Sequence, residues 1–167
     1  MIVRAMTAAL AIGLSLSSAT ATELSPTERA TIAYECQMVL FAYSQAQDQR
    51  DAKALAGVFS DDATWKSSRD TAVGREAITK KAEAYIVSEG ALTSRHIISN
   101  VMIEPLDGNR TIGSAYVTDY YYDAEKLSEV KFLAPILIGV YMLKFVRTEK
   151  GWRIQHMELA RDAATFR

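Results

Sequence analysis

The sequence is poor in the residue types that most directly announce a chemistry. Of its 167 residues one is cysteine, Cys36, and two are histidine, His96 and His156. A single thiol cannot close an internal disulfide, and two histidines cannot furnish a His-rich metal site. Three prolines and eight glycines form no linker and no phosphate-cradling loop. Charge of one sign is missing too. The 19 basic and 20 acidic residues leave a net charge of -1, with no basic stripe on which nucleic acid could bind. Nor is there a membrane-length apolar run. Ala5 to Leu16 is uncharged and apolar, but a spanning helix needs about 20 such residues.

That short run has another reading. Arg4 gives a positive start, and Ser17-Ser18-Ala19-Thr20-Ala21 ends in the small-x-small pattern read by signal peptidases. Residues 1–21 are therefore expected to be a cleaved signal peptide, with residues 22–167 forming one domain that is secreted or periplasmic and free of the membrane after cleavage. A retained N-terminal anchor is the competing reading. With 49% apolar residues, the remaining chain has ordinary globular composition. Without a disulfide, its core alone must hold it together.

Helices come first. From Thr27 onward Ile32, Cys36, Val39, Leu40 and Tyr43 recur at three- and four-residue spacing, one apolar stripe on a long helix that Ser25-Pro26 starts well. A short helix follows Asp51 and stops at the turn cluster Phe59-Ser60-Asp61-Asp62, before a brief strand at residues 63–66. A third helix follows Gly74 and ends at Ser88-Glu89-Gly90, with Lys80-Lys81 expected on a solvated face. The period then changes. Residues 95–104, 111–122, 136–147 and 152–161 read as strands, with turns at Asp107-Gly108-Asn109 and Glu149-Lys150-Gly151. Residues 123–134 read as a loop or a short extra helix. Three N-terminal helices followed by a mostly antiparallel meander predict an α+β domain, the helices packed on one face of a curved sheet and enclosing a pocket.

The order of these elements carries a resemblance. Phe59-Ser60-Asp61-Asp62-Ala63-Thr64-Trp65, Gly74-Arg75-Glu76-Ala77-Ile78, Arg95-His96-Ile97-Ile98-Ser99-Asn100 and Gly151-Trp152-Arg153-Ile154 resemble the SnoaL-like branch of the nuclear transport factor 2-like superfamily. The resemblance implies a cone-shaped α+β fold. It leaves function open among dehydratases, isomerases, cyclases, dehydrochlorinases and non-catalytic subunits. In dehydratase and dehydrochlorinase members, an Asp at the end of the first helix pairs with a His on the first long strand. Asp48 and His96 occupy the similar positions. The dehydratase pattern also implies Tyr43, five residues before Asp48, and Arg161, nine beyond Trp152. A homodimer or homotrimer is a further implication.

Chemistry gives those residues roles. Removing a proton beside a carbonyl while a hydroxyl departs from the next carbon requires a base titrating near ambient pH, for which histidine is suited. A carboxylate such as Asp48 fixes its tautomer. Tyr43 is placed to donate to the developing enolate, and Arg161 to hold a carbonyl or anionic end. No metal or organic cofactor is called for. Trp65, Tyr116, Tyr120 and Tyr141 are expected pocket walls for a small hydrophobic molecule. Each assignment has a competitor: Asp48 as a helix cap, His96 as a bonded core group, Tyr43 as core packing, Arg161 as a surface cation, the tyrosine row as sheet packing or an interface. His156 shares the face of Trp152 by parity and reads as structural. The expected activity is a lyase, most readily a dehydratase, or an isomerase. The alternative is a non-catalytic ligand-binding or assembly module on the same fold.

Overall fold

The computed structural model of the chain describes residues 23–129 and 131–164; the expected signal segment lies outside the described residues. Helix α1 spans Pro26–Asp48. A reciprocal cap starts it: the Ser25 hydroxyl accepts the Glu28 N–H at 3.3 Å, while the Glu28 carboxylate accepts the Ser25 N–H at 2.8 Å. Its stripe of Ile32, Cys36, Leu40, Tyr43, Ala46 and Gln47 is buried. At its end Arg50 takes a left-handed conformation, φ 60°. The chain then turns into α2, Ala52–Gly57, capped by the Asp51 carboxylate on the Ala54 N–H at 2.8 Å. The Arg50 guanidinium donates to the carbonyls of Ile86, Gly90 and Leu92, which ties this corner to the end of α3, Arg75–Ser88.

Among the described residues six strands form one sheet: β1 Phe59–Lys66, β2 Thr71–Val73, β3 Thr93–Pro105, β4 Arg110–Tyr122, β5 Leu137–Thr148 and β6 Gly151–Ala164. Their order is β2-β1-β6-β5-β4-β3, with β1 parallel to β6 and every other pair antiparallel. A 3₁₀ helix, Ala124–Glu129, lies between β4 and β5, the short extra helix allowed for that stretch. The expected turn at Phe59-Ser60-Asp61-Asp62 is instead part of β1, where the register with β6 shifts between Phe59 and Thr64. Further register shifts fall between Ser99 and Met102, beside Gly139 and at Lys144/Phe145. Such irregularities bend a sheet and raise its twist. Gly139 is needed at its bend, because a Cβ there would lie 2.5 Å from the Ala160 carbonyl oxygen.

The shift opposite Lys144/Phe145 also reverses the parity of β6. Trp152 and Ile154 face the core, and after the irregularity Met157 faces it too, so His156 points to the outer face beside Lys144. Strict alternation had put His156 with Trp152, and that expectation fails for this reason. The inner face is covered by α1 and α3. At its centre the Tyr43 ring meets Phe59, Trp65 and Tyr141 edge-on, with centroids 5.9, 6.0 and 5.7 Å away, arrangements that stabilise beyond area burial alone.

Candidate active site

Asp48 is the last residue of α1 and His96 the fourth of β3. Packing α1 on the sheet brings them together. Asp48 Oδ1 accepts the His96 backbone N–H at 3.1 Å and lies 2.7 Å from His96 Nδ1. A carboxylate oxygen only accepts, so Nδ1 carries a proton and Nε2 is the nitrogen left free in the neutral ring. His96 is 6% exposed, and its Nε2 has no hydrogen-bond partner among the described residues.

What Nε2 faces is Asp119, a residue the sequence reading passed over. The β3–β4 register sets His96 directly opposite Asp119, and the Asp119 Oδ1 lies 3.7 Å from Nε2. That gap is too wide for a hydrogen bond. Burial pulls the His96 pKa down, but the Asp48 hydrogen bond and the charges of Asp119, Asp48 and Glu89 prevail and hold it above its usual value. Asp119 is pushed up to about 6, chiefly by burial and further by Asp48 and Glu89, against the pull of His96 and Arg161. The buried imidazole and carboxyl each act on the other's titration.

Both open onto a cavity of about 240 Å³ between the helices and the inner sheet face. A cavity of about 150 Å³ takes a benzene ring, so there is room for a substituted ring. Tyr43, Trp65, Tyr141, Leu137 and Leu159 supply apolar wall, and Gln47, Tyr85, His96, Asp119 and Arg161 the polar groups. Four buried polar atoms without partners among the described residues converge there: Gln47 Oε1, His96 Nε2, Asp119 Oδ1 and Arg161 Nε. Buried polar atoms are ordinarily paired. Their concentration on one cavity leaves polar atoms that a bound molecule could meet.

Of the residues expected at the site, Tyr43, Asp48, His96, Arg161, Trp65 and Tyr141 are brought together here. Tyr116 and Tyr120 are not. Even-numbered residues of β4 point away from the helices; Tyr116 is 53% exposed and neither tyrosine lines the cavity. The inward positions of β4 are Ala115, Val117, Asp119 and Tyr121, the last three paired with Ile98, His96 and Ser94 across β3. Lys81 is also displaced from its expected solvated face. It reaches Asp70 at 2.8 Å, donates to the Trp65 carbonyl at 3.1 Å and lies 4.6 Å above the Trp65 ring, at the cavity's edge. Gln47 was detectable as a polar residue four positions after Tyr43 on the buried stripe. Asp119 was detectable as an acid on the parity of Ala115 and Val117.

With this geometry in place, the sequence itself matches the SnoaL-like domain over residues 28–158, from the cap of α1 into β6. The chain belongs to the SnoaL-like family. No curated protein matches the sequence significantly. Solved structures share the fold of this SnoaL-like chain. A candidate scytalone dehydratase from Novosphingobium aromaticivorans has a TM-score of 0.71 at 20% identity, covering 84% of this chain and 91% of that one. Rv3472, a protein of unknown function from Mycobacterium tuberculosis, has 0.70 at 20% identity, covering 84% and 78%. An NTF2-like protein with a cystatin-like fold, also from N. aromaticivorans, has 0.66 at 18% identity, covering 81% and 85%. At such identities the likeness establishes the α+β cone and leaves the chemistry to the site.

Proposed function

We propose that this SnoaL-like chain is a lyase or isomerase working by His/Asp acid–base chemistry without a cofactor, and specifically a dehydratase for a small, largely apolar, hydroxylated carbonyl compound. The observation that carries the reading is His96: buried, fixed by Asp48, with an unpartnered Nε2 opening into an apolar cavity. Neutral His96 takes a proton from the carbon beside the carbonyl, and that C–H electron pair becomes the new C=C bond. The C–O bond on the adjacent carbon breaks, and the imidazolium returns its proton to the departing oxygen, which leaves as water. Asp48 and Asp119 flank the ring and stabilise the intervening imidazolium. Burial keeps the Tyr43 hydroxyl protonated far above its usual range, so it is a donor for the enolate oxygen, with Arg161 drawing the same end.

The test is a screen of hydroxylated cyclic ketones for water loss, repeated with His96→Ala and Asp48→Ala. Turnover lost in both variants supports the reading; turnover unchanged in both overturns it. Tight retention of a compound without product would instead make the chain a binding module. The same reading has the chain exported and its leader removed, which the mass of the exported protein tests. A homodimer or homotrimer through the outer sheet face, where Ile97, Met102, Ile112, Tyr116, Ile138 and Met142 are exposed, is tested by sedimentation.

A further inference from the structure

Beside His96 runs a second chain of polar groups that the dehydration scheme does not use. The Tyr121 hydroxyl donates to Glu89 Oε1 at 2.5 Å, and the Tyr85 hydroxyl is hydrogen-bonded to the Tyr121 hydroxyl. The Glu89 side chain is only 4% exposed and lies 3.8 Å from the Arg50 guanidinium, which also holds the backbone of that corner. The Tyr121 ring meets the His96 ring edge-on at 6.4 Å, while Tyr85 lines the cavity.

The direction of this chain is fixed by counting protons. A tyrosine hydroxyl has one proton to give. Tyr121 spends its proton on the carboxylate, so the Tyr85–Tyr121 bond must use the proton of Tyr85. Burial raises both phenols above their usual range, so neither proton is lost at neutral pH. Only a lone pair remains on the Tyr85 oxygen. Nε2 of neutral His96 is likewise an acceptor, and so is the Asp119 carboxylate.

We infer that Glu89 and Tyr121 lock Tyr85 as a hydrogen-bond acceptor toward the cavity, so that the site selects ligands carrying two hydroxyl donors. One hydroxyl is taken by the Asp119 carboxylate, whose Oδ1 lies 3.7 Å from His96 Nε2, and the second by Tyr85. Glu89 and Tyr121 are positioning residues acting through Tyr85. This deepens the proposed function and rests on its premise that a hydroxylated ring occupies the cavity.

The test measures binding of resorcinol, its monomethyl ether and its dimethyl ether to the full chain by calorimetry. A hydrogen bond contributes about 1 kcal/mol, about fivefold in affinity, so wild type should prefer resorcinol to the monomethyl ether by about fivefold and bind the dimethyl ether weaker still. Tyr85→Phe should bring the first two within about twofold while both still bind. Glu89→Gln, whose amide N–H can donate back along the chain and free a phenolic proton, should shrink the preference in the same way. Glu89→Leu replaces it if the Gln variant melts early. A ratio of affinities is the readout because a structural lesion lowers all three together. A fivefold preference surviving in Tyr85→Phe, or unchanged in both Glu89 variants, overturns the inference. Equal binding of resorcinol and its monomethyl ether by wild type, both above the dimethyl ether, also overturns it and leaves the proposed function standing. Binding of none of the three also overturns the inference, while the proposed function stands or falls by turnover of the hydroxylated ketones.

Discussion

Replacing Asp119 by asparagine should make the protein more stable at alkaline pH while impairing its site. Asp119 is nearly solvent-free, and burial with the nearby charges of Asp48 and Glu89 raises it from 3.8 to about 6. The difference is about 2 pH units at ~1.4 kcal/mol each, so the fold bears roughly 3 kcal/mol for an ionised Asp119. The sign follows from proton counts. Between about pH 4 and pH 6 the folded chain keeps a proton that the unfolded chain has released, so stability falls as pH rises through that window and levels off above it. Asparagine keeps the shape without the charge. It also removes one support of the raised His96, but that support belongs to the charged imidazole and is lost as pH rises through its titration, so the gain survives at alkaline pH. For a domain of this size that is a melting point higher by about 6–12 °C near pH 8, with the two proteins converging near pH 4. Thermal unfolding followed by circular dichroism across this range is the assay. An Asn variant less stable near pH 8, or offset by the same amount at every pH, would refute the reasoning.

Other outcomes follow from the same geometry. Asp48→Asn should lower the His96 titration, because the carboxylate's hydrogen bond and charge both raise it; imidazole proton NMR, assigned with a His96→Gln control, checks the direction. Tyr43→Ala should cost about 3–5 kcal/mol, since the ring fills the space between Phe59, Trp65 and Tyr141. Tyr43→Phe should cost about 1 kcal/mol or less in denaturant unfolding, and equal losses in the two would refute the packing role. Gly139→Ala should cost about 1–3 kcal/mol, because its Cβ meets backbone rather than a movable side chain; an unchanged midpoint in urea would contradict the tight bend.

Local signals in the sequence carried much of the architecture. Ser25 and Asp51 are helix caps, the stripe of α1 is buried, and the long strands lie within a residue or a few of their expected bounds. The misplacements share a cause. Alternation assigns a face only while the ladder is regular, and the irregularity in β6 turned His156 outward. In β4 the alternation held, but which parity faced the helices was not legible from β4 alone. The row Tyr116, Tyr120 drew attention to the outer face, while Asp119 and Tyr121 occupied the inner one. Lys81 was read from its own helix, whereas its partners Asp70 and Trp65 come from the hairpin beneath. The Asp48–His96 contact was legible only by resemblance, because 48 residues separate the two and no local pattern spans that distance.

The proposed chemistry turns on which nitrogen of His96 is free. Nitrogen-15 NMR of histidine-labelled protein, taken above the His96 titration, reads the tautomer directly. The prediction is a ring protonated at Nδ1, held by Asp48, with Nε2 bare toward the cavity. A neutral ring protonated at Nε2 would contradict it, since that nitrogen could then accept no proton from anything bound there.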